Sequence, residues 1–301
     1  TGLFSRLQAI SRVINSKNSL PILDCFLLEL TDGTLSITAS DSETTLSTFI
    51  EANEYDTDGR FAVNSKTILE ALKEIPEQPL TFEVSESMEI VVKYQNGKYS
   101  LMGQNADEYP QSANLGSNAV HVSLGVEVLM NGINRSLFAT ADDELRPVMN
   151  GIYFDILEDR LVLVATDAHR LVRYLNTSVK AGMASNFILP KKPAALLKNL
   201  LAKEEAEVKV TFGQKNARFE FDKTIVVCRR IEGRFPNYNA VIPQSNQNVV
   251  TVDRQTMVNA CKRVAVFANN GTAQLRLALS ENQIKISAQD IDFSTSAEET
   301  I

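Results

Sequence analysis

Asp167, His169 and Arg170 form the one cluster in this 301-residue chain whose residue types could carry out catalysis. A carboxylate and an imidazole could together hold a divalent metal and activate water, the chemistry of a metal-dependent nucleic-acid-processing hydrolase. On one extended stretch, however, an Asp and a His two positions apart need not converge on a substrate. We therefore predict no catalytic residue and no metal ligand, and keep the hydrolase as the alternative hypothesis.

Motifs that bind zinc, phosphate groups or dinucleotides are absent from the sequence. His121 and His169 are the two histidines, and they lie too far apart in the chain for a histidine-based zinc site. No CxxC or HExxH occurs, and no GxxxxGK[ST], GxGxxG or GxSxG. The sequence therefore predicts no cofactor.

Positive charge is concentrated in five segments with helical periodicity. The whole chain has 30 Lys plus Arg against 37 Asp plus Glu, a net charge of −7, which ordinarily argues against a nucleic-acid-binding protein. The windows 3–17, 64–75, 125–141, 190–203 and 253–268 nevertheless hold 13 basic and only 4 acidic residues. A segregated positive surface attracts a polyanion whatever the net charge, so we predict sequence-independent contact with the backbone of duplex DNA. The predicted DNA-binding residues are Arg6, Arg12, Lys17, Arg135, Arg146, Lys191, Lys192, Lys198, Arg254, Lys262 and Arg263.

Five helices at nearly regular intervals are predicted to carry all of these residues except Arg146. They begin near Leu3, Asn64, Gly125, Pro190 and Asp253, at successive offsets of 61, 61, 65 and 63 residues. Asn64 and Asp253 are typical N-caps, and Pro190 suits the start of a helix. Segments in which apolar residues alternate with polar ones follow each helix and predict antiparallel strands. The predicted strands are 34–39, 80–84, 89–94, 151–156, 161–165, 207–212, 218–221 and 275–279, with strand-like segments before the later helices at 60–63, 119–122, 186–189 and 248–252.

The strand pattern repeats at twice the helix interval. Leu35–Asp41 (LSITASD) recurs as Leu161–Asp167 (LVLVATD), 126 residues later, and as Ile284–Asp290 (IKISAQD), a further 123 residues on. Tyr109-Pro110 and Phe235-Pro236 are also 126 residues apart. This repeat predicts an α+β chain of three domains, 1–117, 118–243 and 244–301, each built from two half-units of one helix and several antiparallel strands. We expect the first domain to lack its first strand, and the third to end about 65 residues early.

The cysteine pattern predicts a reducing compartment. Cys25, Cys228 and Cys261 are odd in number, far apart and in apolar surroundings, which favours buried free thiols and a cytoplasmic protein. No window reaches the ~18 apolar residues of a membrane span, so we predict no membrane association.

Four motifs resemble those of the bacterial sliding clamp, the beta subunit of DNA polymerase III. Ala165–Leu171 (ATDAHRL) resembles the ATDGHRL segment of that family, with Ala168 where the family commonly has Gly. Leu20–Leu23 (LPIL), Arg146–Gly151 (RPVMNG) and Gly233–Tyr238 (GRFPNY) are similar to three further clamp signatures, in the same order.

The resemblance implies the DNA-clamp fold and a non-enzymatic processivity factor. Clamps of this family are head-to-tail homodimeric rings that encircle double-stranded DNA, with helices lining the hole and sheets outside. Their partners are the catalytic subunit of the replicative polymerase, the clamp loader, translesion polymerases, mismatch-repair proteins and ligase, which bind a groove through short linear peptides. The groove positions implied here are Met149, Thr166, His169, Arg170, Leu171, Pro236, Val241 and Thr272, and the implied subunit contact joins Tyr99 and Leu101 of one chain to Val266 and Phe267 of the next.

A third hypothesis is a pure interaction protein with no role on DNA. It predicts that the protein is retained on circular DNA no better than on linear DNA, whereas a clamp stays on circular DNA and slides off the ends of linear DNA. A hydrolase would differ from both, because His169→Ala would abolish its reaction.

Overall fold

All five predicted helices form, each starting within one residue of the expected position. The computed structural model describes residues 2–18, 20–204 and 207–301, in two compact units that divide after Asn237. The longest helix in the described ranges has 12 residues, and none there is long and apolar enough to cross a membrane. The helices are α1 Gly2–Ile10, α2 Ser65–Lys73, α3 Val126–Ser136, α4 Lys191–Leu200 and α5 Arg254–Ala265.

Side-chain caps define the starts of two helices, as their sequences predict. Asn64 Oδ1 accepts a hydrogen bond from the Thr67 amide at 3.0 Å, and Asp253 Oδ1 accepts one from the Thr256 amide at 2.8 Å. Each bond satisfies an amide that has no partner within its own helix. Pro190 directly precedes α4 with φ of −60°, the angle its ring imposes.

Strands make up most of the rest of the chain. The eight strands predicted after the helices all form, and three of the four strand-like segments before helices also belong to strands. In chain order the described strands are β1 Cys25–Thr31, β2 Thr34–Ser40, β3 Thr44–Glu51, β4 Gly59–Asn64, β5 Thr81–Val84, β6 Glu89–Tyr94, β7 Gly97–Met102, β8 Val120–Gly125, β9 Gly151–Leu157, β10 Arg160–Thr166, β11 Leu171–Asn176, β12 Ser185–Pro190, β13 Glu207–Phe212, β14 Asn216–Phe221, β15 Thr224–Arg229, β16 Arg276–Ser280, β17 Gln283–Asp290 and β18 Thr295–Thr300.

One eight-stranded antiparallel sheet joins the first two sequence repeats. Its order is β4-β1-β2-β3-β15-β14-β13-β8, so four strands come from each repeat. The junction is the pairing of β3 with β15, in which Thr48 lies opposite Thr224 and Thr44 opposite Cys228. Main-chain bonds extend this ladder at both ends, from the Phe49 amide to the Lys223 carbonyl and from the Arg229 amide to the Glu43 carbonyl.

Two smaller sheets complete the first unit. β5, β6 and β7 form a three-stranded sheet in the first repeat, and β11-β10-β9-β12 is the four-stranded sheet of the second. Helices α1 and α2 pack together, as do α3 and α4. A continuous apolar core runs through both repeats, and its fully buried side chains include Leu7, Phe26, Leu124, Phe154 and Phe219.

The second unit contains α5 packed on the sheet β16-β17-β18. Its core is formed by Ala260, Val264, Ile284, Ile286 and Ala288. The prediction of a strand over 248–252 is wrong, because these residues are irregular and lead directly into α5. A strand needs a neighbour for its amides and carbonyls, and the three described strands of this unit pair with one another instead.

Candidate partner groove and nucleic-acid surface

Asp167 organises the tight turn between β10 and β11. Its Oδ1 accepts hydrogen bonds from the amides of Arg170 (2.9 Å) and His169 (3.0 Å), and its Oδ2 accepts one from Arg170 Nε at 2.9 Å. The two amides, Arg170's first, lower the pKa of this carboxyl below its ordinary value. Thr166 Oγ1 completes the turn by donating to the Arg170 carbonyl and accepting from the Ala168 amide.

Ala168 holds a left-handed backbone conformation, with φ of +73°. That conformation strains any residue with a Cβ, which explains why the related clamp motif commonly has Gly there. The hydrogen bonds that Thr166 and Asp167 make to residues 168–170 over-determine the turn and keep Ala168 in place.

The same turn recurs at the equivalent aspartate of the first repeat. Asp41 Oδ1 accepts hydrogen bonds from the amides of Glu43 (3.1 Å) and Thr44 (2.7 Å), and the intervening Ser42 has φ of +77°. In the third repeat Asp290 accepts from the amides of Asp292 and Phe293. The repeated aspartate is therefore a turn-forming residue in all three places.

This geometry gives the hydrolase hypothesis no support. Three hydrogen bonds within the turn engage the Asp167 carboxylate, which gives it a structural role. Over the residues that the structure describes, no three His, Cys, Asp or Glu side chains come close enough to hold a metal ion. His169 is exposed at the tip of the turn.

Six of the predicted groove residues lie in the first unit, and sheet register brings several of them to one end of a sheet. Thr166 ends β10 and pairs with Leu171, the first residue of β11. The register of β9 with β10, extended by two residues, places Gly151 opposite Thr166, so Met149 reaches the same sheet end. Thr166 is buried, Met149 and Leu171 are half-buried, and His169, Arg170 and Pro236 are exposed.

Residues of the clamp motifs that the sequence did not assign to the groove hold this end of the sheet in shape. Phe235 stacks on Tyr153 with ring centroids 4.7 Å apart, which fixes the adjacent Pro236. Asn150 Oδ1 accepts a hydrogen bond from the Asp143 amide, and Asn150 Nδ2 donates one to the Asp143 carbonyl. These two bonds fix the loop before β9. A Cβ at Gly151 would collide with the Leu189 carbonyl, which explains the glycine of the RPVMNG motif. That motif and GRFPNY were the signals in the sequence that could have identified these residues.

Arg170 is held between an acid and an aromatic ring. Its guanidinium lies 5.4 Å from the centre of the Phe138 ring while its Nε donates to Asp167. Phe138 itself is 58% exposed. A cation stacked on an exposed ring beside half-buried apolar side chains is suited to bind a peptide with apolar and acidic groups.

Val241 and Thr272, the other two predicted groove residues, belong to the second unit. Val241 follows a short 3₁₀ helix, Tyr238–Ala240, and is 68% exposed. Thr272 is exposed in the loop after α5, where its amide donates to Asn269 Oδ1 at 3.3 Å.

The predicted DNA-binding residues divide by whether a carboxylate holds them. Arg6, Arg146, Lys191, Lys192 and Arg263 pair with Asp222, Asp143, Asp142, Asp41 and Glu299 respectively. The others are exposed, and no carboxylate lies within 4.0 Å of them among the described residues. These unpaired cations are Arg12, Lys17, Arg135, Lys198, Arg254 and Lys262.

Lys192 has a further structural role. Besides Asp41, its ammonium donates to Asn15 Oδ1 (2.6 Å) and the Val13 carbonyl (3.3 Å), so it joins α4 of the second repeat to the first. The Asp41 side chain is only 5% exposed, whereas the Lys192 side chain is 45% exposed, so the contact joins a buried carboxylate to a half-exposed ammonium.

The predicted subunit-contact residues lie on surfaces of both units. Tyr99 and Leu101 are half-buried on β7, an edge strand of its three-stranded sheet. The centroid of the Tyr99 ring lies 5.2 Å from that of Tyr94. Val266 and Phe267 follow α5 and are 78% and 40% exposed.

Three sequence families match the chain in succession. Residues 1–114 match the N-terminal domain of the DNA polymerase III beta subunit, residues 123–237 its central domain and residues 239–301 its C-terminal domain. The chain belongs to the DNA polymerase III beta subunit family. It is thus a DNA sliding clamp, a non-catalytic subunit that acts in DNA replication.

Individual clamps agree with this assignment over almost the whole chain. The beta sliding clamp of Haemophilus influenzae is 28% identical over 299 residues, which are 98% of this chain and 81% of the relative. The DNA polymerase III subunit beta of Pseudomonas aeruginosa matches with a TM-score of 0.93 at 27% identity, covering 99% of this chain and 81% of that one. The sliding clamp of Bartonella birtlesii, solved bound to griselimycin, has a TM-score of 0.91 at 26% identity and covers 100% and 81%. The predicted clamp fold is confirmed.

Proposed function

We propose that this sliding clamp works by topology: two copies join head to tail, encircle duplex DNA and tether a polymerase to it. A tethered polymerase meets its template again at a high effective concentration, so it stays processive without any chemistry by the clamp. Twelve helices of ~10 Å diameter side by side would enclose a circle of roughly 38 Å, leaving about 28 Å of clearance for a duplex of about 20 Å.

The observation that carries this proposal is the set of unpaired cations on or beside the helices. Arg12, Lys17, Arg135, Lys198, Arg254 and Lys262 come from four of the five helical segments and are exposed without a carboxylate partner in the described ranges. Such residues favour phosphate contacts that do not depend on base sequence. We assign them the main contacts, and assign a weaker share to Arg6, Arg146, Lys191, Lys192 and Arg263, whose charge is partly neutralised.

The groove residues provide the tether. We assign binding of short linear peptides to Met149, Thr166, His169, Arg170, Leu171, Pro236, Val241 and Thr272. Half-buried apolar side chains beside a fixed guanidinium support this assignment. The peptides would come from the polymerase catalytic subunit, the clamp loader, translesion polymerases, mismatch-repair proteins and ligase.

Homodimer formation would join two different surfaces of the chain. Tyr99 and Leu101 on β7 would meet Val266 and Phe267 of a second copy, which gives a head-to-tail contact that closes after two subunits. The strongly exposed Val266 supports this assignment, because an apolar side chain at that exposure gains from being covered. Free cysteines at 25, 228 and 261 are consistent with a cytoplasmic site of action.

Retention on circular DNA tests the proposal. The full-length gene product is loaded onto nicked circular DNA with its clamp loader and ATP, and the circle is then cut once. We expect the protein to stay on circles and to leave after the cut. Equal retention on circles and lines would refute encirclement and leave the pure interaction protein as the better account.

A further inference from the structure

A cleft of about 320 Å³ opens at the junction of the first two repeats, away from the proposed partner groove. One wall comes from the Asp41 turn and the segment after Tyr109, and the other from β15 and the β13–β14 turn. The cleft lies along the β3–β15 pairing, where Thr45 lies opposite Val227. Both walls therefore belong to the first unit, and the pairing of β3 with β15 joins them.

The sequence repeat maps this cleft onto the proposed partner groove. Subtracting 126 from Thr166, His169, Leu171 and Pro236 gives Ser40, Glu43, Thr45 and Pro110, which line the cleft. The counterparts of Met149, Arg170 and Val241, which are Leu23, Thr44 and Leu115, do not line it, so the correspondence covers part of the groove. The repeat comes from the sequence and the cleft from the coordinates, so the two observations are independent. The first domain thus carries a counterpart of the groove at its own junction with the next domain.

The cleft is already formed in the free chain. Two amide hydrogen bonds to Asp41 fix its turn, and Lys192 binds the same carboxylate from the second repeat. The Arg229 amide also donates to the Glu43 carbonyl at 2.8 Å, which fastens the two walls to each other. A preformed site loses little conformational entropy when it binds a ligand.

Its chemistry differs from that of the groove. Thr45 replaces the apolar Leu171, and the exposed Ser42 adds a hydroxyl. The second repeat contributes Lys215, which is exposed without an ion-pair partner among the described residues, and Arg229, whose guanidinium lies 3.8 Å from a Glu43 carboxylate that is itself 64% exposed. Two cations against one solvated carboxylate favour an anionic ligand.

We propose that this cleft is a second docking site that binds a short acidic peptide in extended conformation. Carboxylates of the peptide pair with Lys215 and Arg229, and the hydroxyls beside them accept or donate hydrogen bonds. The volume suits a few residues of a peptide. The inference concerns a different surface from the proposed partner groove and does not depend on encirclement of DNA.

Fluorescence anisotropy with a rhodamine-labelled peptide, GEDEDG, tests the site at low salt without DNA or loader. We expect saturable binding, none for the neutral peptide GQNQNG, and about a tenfold loss in Lys215→Glu. Lys223→Glu is the matched control, because Lys223 is exposed in the neighbouring β14–β15 turn of the same sheet and lies outside the cleft. Arg170→Ala should bind GEDEDG normally, which separates this site from the partner groove.

Ala113→Trp provides a blocking variant that leaves the charge unchanged. Ala113 is exposed on the cleft wall, so a large ring there fills the cleft without disturbing the core, and thermal unfolding checks that the fold persists. We expect this variant to lose the peptide. Full binding by Ala113→Trp, or equal losses in Lys215→Glu and Lys223→Glu, would overturn the proposal. Free glutarate competing as well as the unlabelled peptide would also overturn it, in favour of a small-anion site.

Discussion

At the scale of single residues, Arg170 links turn structure to partner binding. Its guanidinium contacts both the Asp167 carboxylate and the Phe138 ring, so its position is set before any ligand arrives. A positioned cation loses less side-chain entropy on binding than a free one. Arg170 therefore contributes to the proposed groove both a positive charge and its contact with the Phe138 ring.

Arg170→Ala should weaken binding of a polymerase-derived groove peptide by about tenfold, because the anchoring cation and its cover of Phe138 are both removed. Isothermal titration calorimetry measures the change. Arg173→Ala is the matched control, since Arg173 is exposed on β11, the strand that follows the Arg170 turn, and lies outside the proposed groove. Equal losses in the two variants would remove Arg170 from the groove.

The Asp167 turn should also respond to acid. Its carboxyl has a lowered pKa in the folded chain, so the ionised form stabilises the turn above the ordinary carboxyl pKa near 4, and this contribution is lost as the pH falls through the lower folded value. The side-chain carboxyl ¹³C shift of Asp167 should stay constant from pH 7 to about pH 4 and move only below it. A transition centred at the ordinary value would show that the amides do not stabilise the charge.

At the scale of elements, Lys192 shows how a helix charge can serve the fold. Lys192→Ala would leave the nearly buried Asp41 carboxylate without its cation, and we expect a loss of about 1–2 kcal/mol in the free energy of unfolding. Urea unfolding measures it. Lys198→Ala, on the same helix without an ion-pair partner in the described ranges, should change stability by less than about 0.5 kcal/mol. Equal losses of stability in Lys192→Ala and Lys198→Ala would show that the contact between Lys192 and Asp41 does not stabilise the fold.

The cap of α2 supplies a second stability test. Asn64→Ala removes the acceptor for the Thr67 amide and should cost about 1 kcal/mol, whereas Asn64→Ser keeps an acceptor and should restore most of it. The urea midpoints of unfolding measure the stability of both variants. Failure of the serine to restore stability would show that the cap hydrogen bond is not the cause.

Local signals explain which elements the sequence could predict. Caps at Asn64 and Asp253, the alternation of β13 and the apolar run of β10 are encoded within a few residues, so the sequence predicts those elements. β18 has the sequence TSAEET, without an apolar stripe, and is a strand because β17 supplies its hydrogen bonds. The segment 248–252 shows the converse, since Val249, Val250 and Val252 suit a strand but lack a neighbour in the described part of the second unit.

At the scale of the whole molecule, charge segregation should govern contact with DNA. Removing one unpaired cation in Lys198→Ala should lower the slope of log K against log salt by about 0.9, the value for one phosphate contact. Binding to a duplex at several salt concentrations gives the slope. Lys223→Ala is the control, because it removes an equal charge from a strand turn, and an equal change in slope there would locate the DNA contact elsewhere.

The sequence predicts the candidate site only in part, because contacts between distant segments leave no local signal in the sequence. The repeat identifies Asp41 as the counterpart of Asp167, but the prediction of an extended stretch over Asp167 and His169 is wrong, because the His169 and Arg170 amides bond to the Asp167 carboxylate and close a turn there. The carboxylates that decide whether a cation is free to contact DNA come from distant segments of the chain. Asp41 lies 151 residues from Lys192, and Glu299 lies 36 residues from Arg263. Helical periodicity reports which face is polar, but it carries no information on which cation a remote carboxylate will neutralise.

The β3–β15 ladder has a mechanical consequence. Because main-chain hydrogen bonds run without interruption from one repeat into the next, bending at that junction would have to stretch several of them together. The first 237 residues therefore act as one stiff unit, and under load they should deform elastically and lose structure as a single cooperative block.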